Sequence, residues 1–104
     1  MVSTPLEVGI NARSEPRDEV YYRARAMRAD GQTIGLTVVN ISPHGLMARC
    51  ETPFDAGERF SATLPVVGLV RGVVRWSLGG RIGCQLDAPI PVTRYYELLA
   101  TLRR

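Results

Sequence analysis

The chain has no lysine: all 13 of its basic residues are arginine. It has one histidine, two cysteines and one tryptophan. No apolar run approaches the roughly 18–20 residues needed to span a bilayer. With His44 alone there is no histidine pair for a metal, and only one imidazole to act as a base. Cys50 and Cys84 are too few for a disulfide framework, and the start Met1-Val2-Ser3-Thr4-Pro5 lacks the basic region and apolar stretch of a secretory signal. These absences predict a soluble, cytoplasmic protein with reduced thiols and no membrane insertion. Catalysis has little support. The acids are scattered, no P-loop or Rossmann glycine pattern occurs, and both cysteines fall in apolar strands, where cysteine usually acts as a small hydrophobe. The expectation is a binding module rather than an enzyme, with no cofactor and no metal site.

What is present is a basic chain of one domain's length, 104 residues, 45% hydrophobic, with a net charge of +3. Arginine offers a planar fork of donors that matches phosphate oxygens and the O6/N7 edge of guanine, which lysine cannot imitate. A GC-rich genome accounts for the arginine excess by itself, so the argument has to rest on where the arginines lie.

Residues 1–18 read as an irregular, flexible N-terminal arm containing Pro5, Gly9, Asn11 and Pro16. From Glu19 the pattern turns to β. Val20, Tyr22, Ala24 and Ala26 alternate with Tyr21, Arg23 and Arg25. Asp30-Gly31 marks a turn into a strand over 33–39, with Ile34, Leu36 and Val38 on one face. Further strands are predicted over 46–50, 59–64, 69–76 and 81–86. After Pro91, the residues Tyr95, Leu98, Leu99 and Leu102 recur at helical spacing. Six short strands and one helix predict an all-β fold: a small six-stranded antiparallel split β-barrel with a C-terminal α-helix over 19–104. Trp76 is assigned to the core rather than to a base-stacking platform. The pairs Tyr21/Tyr22 and Tyr95/Tyr96 read as packing between the first strand and the helix.

Two local motifs remain. Arg13-Ser14-Glu15-Pro16-Arg17 places two arginines four apart ahead of the first strand. Asn40-Ile41-Ser42-Pro43-His44-Gly45 forms a polar turn between the second and third strands. In this order and interval they resemble the bipartite signature of the PilZ domain family, RxxxR followed by [D/N]xSxxG. The strand count, the terminal helix and the segment Arg81-Ile82-Gly83-Cys84-Gln85-Leu86-Asp87 fit as well. The resemblance covers about residues 12–102. It implies a bacterial receptor for the second messenger cyclic di-GMP, with Arg13, Arg17, Asn40, Ser42 and Gly45 binding the dinucleotide.

The residue chemistry agrees. Guanidinium groups pair bidentately with phosphate or guanine and stack on purines. Asn40 can accept from a guanine N–H edge, Ser42 adds a hydroxyl, and Gly45 lets backbone or ligand approach closely. The expected mechanism is ordering of the arm onto the barrel, which creates a surface for an unidentified downstream protein.

Plainer readings stand beside these. Arg13 and Arg17 can be solvated, and Asn40, Ser42 and Gly45 can simply be turn formers. Arg49 is either an exposed arginine or a helper at phosphate. Arg71 and Arg75 share a strand face, either adding positive potential or forming ordinary surface. Asn40 stands where the family more often has aspartate, and Ala12 precedes the arginine pair where many members carry arginine or a bulky residue. A PilZ-like scaffold that binds only proteins is therefore the rival reading. A nucleic-acid polymer is not expected as partner, because exposed aromatics interleaved with arginines are lacking. The chain is expected to be a monomer or a dimer.

Overall fold

A computed structural model describes residues 16–103 of the chain. Six strands precede one helix: β1 (Asp18–Arg28), β2 (Thr33–Ser42), β3 (Gly45–Arg49), β4 (Arg59–Leu64), β5 (Gly68–Leu78), β6 (Arg81–Leu86) and α1 (Val92–Leu102). All neighbouring strands pair antiparallel, in the closed order β1-β2-β3-β6-β5-β4. The barrel with its C-terminal helix is the architecture that the alternation predicts. Arg13 and the rest of residues 1–15 lie outside the described residues.

Closure depends on the shortest contact of β1. That strand pairs with β2 along most of its length, but with β4 only over Arg25–Arg28. Arg28 reinforces the seam. Its Nη2 lies 3.0 Å from both carboxylate oxygens of Glu58, and its guanidinium sits 4.8 Å above the Phe54 ring centre. The Asp55 backbone N–H, followed by Arg28, holds the Glu58 carboxyl below its ordinary range.

Inward side chains alternate along each strand: Ala24 and Ala26 from β1, Ile34, Leu36 and Val38 from β2, Leu46 and Ala48 from β3, Phe60 and Ala62 from β4, Ile82, Cys84 and Leu86 from β6. The helix stoppers one end, burying Tyr95, Leu98, Leu99 and Leu102, with Pro91 as its N-cap residue. Of the tyrosines assigned to packing, Tyr95 is buried and Tyr22 lies against the core, but Tyr21 and Tyr96 are about two-thirds exposed, at 65% and 66%. Tyr21 points out of the barrel. Tyr96 lies on the helix face turned away from it. Among the described residues no helix is long and apolar enough to cross a membrane.

The turn between β4 and β5 is strained. The Val67 N–H donates to the Pro65 carbonyl at 2.7 Å, which closes a three-residue γ-turn around Val66 at φ 69°. That is the rare positive-φ form of the turn, and a β-branched residue is badly suited to it. Arg94 of α1 fixes it by donating from Nη2 to the Val66 carbonyl at 2.7 Å. Replacing Val66 by glycine removes the Cβ clash, though the unfolded chain gains some freedom. The expected net gain in unfolding free energy is about 1 kcal/mol. Denaturant unfolding of Val66→Gly against the parent measures it, and an unchanged or lower midpoint contradicts the strain.

Candidate functional site

Three strands carry an irregularity in register, and all three occur at one level of the barrel. On β1 it falls between Glu19 and Tyr22, on β2 between Val38 and Asn40, and on β5 between Val74 and Trp76. The extra residue on β2 and on β5 makes the side chain that follows change face, whereas β1 keeps its alternation through the irregularity. Val38 is fully buried and a regular strand would turn Asn40 inward behind it, but the bulge sends Asn40 outward and puts Ile41 in the core. Val74 and Trp76 behave likewise. Val74 opposes Cys84, Trp76 opposes Gly83, and the indole comes out onto the surface at 44% exposure. Trp76 is therefore not a core residue, contrary to the expectation from simple alternation.

The bulged level reads across the sheet as Glu19, Asn40, Met47, Gly83 and Trp76, each opposite the next. Gly83 makes room for the tryptophan, since a Cβ there would lie 2.1 Å from Trp76 Nε1. The indole thus packs over the Gly83 backbone of β6 while remaining 44% exposed, which leaves ring surface on which a base could stack. Arg49 and Arg81 sit directly opposite each other on β3 and β6, one outward position along from Met47 and Gly83. Like charges so placed repel. The ion pairs among the described residues use Arg28, Arg59, Arg94 and Arg103, so Arg49 and Arg81 have no acidic partner there.

The two motifs meet at this level. Arg17, just ahead of β1, donates from Nη1 to Asn40 Oδ1 at 2.8 Å across 23 residues of sequence. The second motif is not a free polar turn. Asn40 and Ser42 belong to β2, Gly45 opens β3, and only Pro43 and His44 form the turn. Ser42 is 1% exposed, and its Oγ accepts the His44 N–H at 3.3 Å, which shapes the hairpin from within. Gly45 needs no positive φ. Its constraint is the close approach of β6, because a Cβ would stand 2.5 Å from the Cys84 carbonyl oxygen.

A second bond set ties both motif strands to the helix. The Tyr95 hydroxyl lies 2.6 Å from Asp18 Oδ2 and 3.0 Å from the Ile41 carbonyl, sharing its proton between them. Asp18 follows Arg17 and Ile41 follows Asn40, so one buried hydroxyl holds the residue after each motif arm. Arg103, beyond the helix end, adds a 3.2 Å ion pair to Asp18. Beyond the hairpin tip, Ile90 N–H donates to the Pro43 carbonyl at 2.8 Å and Leu86 N–H to His44 at 2.9 Å.

The cysteines play no part in this surface. Burial pushes the Cys84 thiol up to about 12 and raises that of Cys50, so both are thiols at neutral pH. Among the described residues no three His, Cys, Asp or Glu side chains gather as metal ligands would. Trp76 and Tyr95 are the residues that sequence reasoning missed here. A signal for the β2 bulge was present, because Leu36 and Val38 are two apart and Ile41 follows at three.

Comparison with family models matches residues 11–102 to the PilZ domain. No curated protein matches the chain.

Two substitutions test the scaffolding roles. Gly45→Ala must push β6 away from β3 and is expected to cost about 2 kcal/mol of stability. Tyr95→Phe keeps the packing and removes the hydroxyl donor from the Ile41 carbonyl and from Asp18, which retains Arg103, at an expected cost of about 1–2 kcal/mol. Chemical denaturation reads both, and a change below about 0.5 kcal/mol in either denies the role assigned to it.

Proposed function

The chain belongs to the PilZ domain family, a family of cyclic di-GMP receptors, and from that premise we propose that it binds this messenger on the bulged level of its barrel. The observation that carries the reading is the Arg17–Asn40 bond, which joins the two motifs on an exposed face, with Trp76 three strands along the same level. In the unliganded state Arg17 rests on a neutral amide. A phosphate offers it a charge-assisted, bidentate partner, roughly twice as strong per bond. Arg13 enters from the segment ahead of the described residues and closes on the same ligand. Asn40, released by Arg17, accepts from a guanine N–H edge, and Trp76 gives a guanine its stacking face. Arg49 and Arg81 supply positive potential at the rim, and a bound phosphate relieves their mutual repulsion. Ser42 and Gly45 serve from beneath, holding the hairpin on which Asn40 rides.

The signal leaves through ordering of the segment that bears the arginine pair. Engagement of Arg17 pulls on Asp18, and Asp18 is bound to Tyr95 and Arg103 of the helix region. A downstream protein then reads the changed surface. No nucleotide chemistry is assigned to the chain; it acts as a receptor.

Calorimetry of the purified protein with cyclic di-GMP tests this. Saturable binding is expected, lost in Arg13→Ala/Arg17→Ala and weakened about tenfold in Trp76→Ala, as removal of one stacked base contact implies. No heat of binding up to about 100 μM messenger, or binding indifferent to the two arginines, defeats the proposal.

A further inference from the structure

Away from the bulged level, a groove of about 340 Å³ runs between the β4–β5 turn and the segment joining β6 to α1. This is the scale at which small ligand pockets begin. Its walls are apolar: Val67, Leu69 and Val70 on one side, Pro89, Ile90 and Pro91 on the other. Leu69 is 55% exposed, and Val92, next to Pro91, is 63% exposed. At one end the groove reaches two charged residues. Asp87 is already neutralised by Arg59, whereas Arg71 has no acidic partner among the described residues.

The strained γ-turn forms part of this wall. A β-branched residue at positive φ costs stability, and such costs persist where surrounding structure enforces them, commonly at clamps and switch regions. Glycine would serve the turn better, yet a valine stands there, 37% exposed and fixed from α1 by Arg94. The opposite wall is tied to the second motif, since Ile90 N–H donates to the Pro43 carbonyl.

We infer that this groove seats an apolar segment of a partner protein that carries a carboxylate to Arg71. The apolar walls and the single unneutralised cation define that chemistry together. A bilayer calls for protruding apolar residues, whereas these walls enclose a concavity that admits side chains. The inference rests on the messenger reading only in making the groove its output surface.

The probe is a capped Leu-Leu-Glu-Leu-Leu peptide titrated into the full-length ¹⁵N-labelled protein. Saturable amide shifts are expected at Val67, Leu69, Val70 and Ile90. Leu69→Ser, at an exposed position, should abolish them. Arg71→Gln, or a peptide with Gln for Glu, should weaken binding about fivefold, as loss of a charge-assisted bond does. The inference falls if no saturable shift develops by about 5 mM peptide, if the shifts survive Leu69→Ser, or if the Gln peptide binds equally well. It also falls if sedimentation shows a dimer that Leu69→Ser dissociates, which makes a second copy the occupant. Co-sedimentation with phosphatidylcholine vesicles that Leu69→Ser abolishes overturns it in favour of lipid. Calorimetry with cyclic di-GMP on the parent protein, beside the peptide titration, separates the two proposals. Messenger binding without peptide binding ends the groove inference alone, and peptide binding without messenger binding ends the receptor reading alone.

Discussion

An antiparallel ladder has a period of two, so one inserted residue turns every later side chain to the other face. This barrel uses that property on β2 and β5 at a single level, and the surface chemistry of the domain follows from it. With a regular β2, Asn40 would lie buried behind Val38 and Ile41 would be wasted on solvent. With a regular β5, Trp76 would be forced into a core already filled by Val74, Ile82 and Cys84. The bulges keep large aliphatic side chains inside and deliver a polar amide and an indole to the outside. Gly83 is the complement of the β5 bulge, because the emerging ring needs flat backbone to lie on.

The same level organises the connection to the helix. A six-stranded barrel closed by only four residue pairs between β1 and β4 needs its β1 end held by something else. Tyr95 and Arg103 do that at Asp18, and Tyr95 reaches Ile41 of β2 with the same hydroxyl. A buried hydroxyl with one proton and two acceptors is sensitive to the separation of those acceptors. If Ile41 shifts away, its buried carbonyl loses this donor, a loss of about 1–3 kcal/mol, whereas Asp18 keeps its ion pair to Arg103. Motion at either motif arm therefore cannot be isolated from the helix.

The fold was legible because its determinants are local. Alternation along β1, β2 and β6, the Asp30-Gly31 turn and the helical spacing of Tyr95, Leu98, Leu99 and Leu102 all survive in the structure. The site was legible only as a list of motif residues. Arg17 and Asn40 do come together, but Ser42 and Gly45 act through turn shape and interstrand clearance. Trp76 was misplaced because alternation was carried through a bulge that nothing in β5 announces. Bulges depend on which residue the partner strand offers, Gly83 here, and that is a long-range fact. In β2 the three-residue step from Val38 to Ile41 did betray the slip, because two strongly buried positions cannot lie at odd spacing on an unbroken strand. The coupling through Tyr95 was equally hidden, since its partners Asp18 and Ile41 are 77 and 54 residues away.

Asparagine at position 40, the departure from the more common aspartate, has a physical consequence for any exchange of partners by Arg17. An aspartate would hold the guanidinium through a charge-assisted bond, and an incoming phosphate would have to displace a carboxylate of like charge. The amide oxygen forms a neutral-acceptor bond on an exposed face, where the net worth of such a contact is about 1 kcal/mol. A ligand phosphate then competes against little, and the amide it frees still offers both donor and acceptor atoms to a base edge. What the site loses in charge at Asn40 it recovers as ease of release. In the receptor proposed above, whose message would be the transfer of one arginine from barrel to ligand, a weak resting bond makes the two states well separated in energy once ligand is bound.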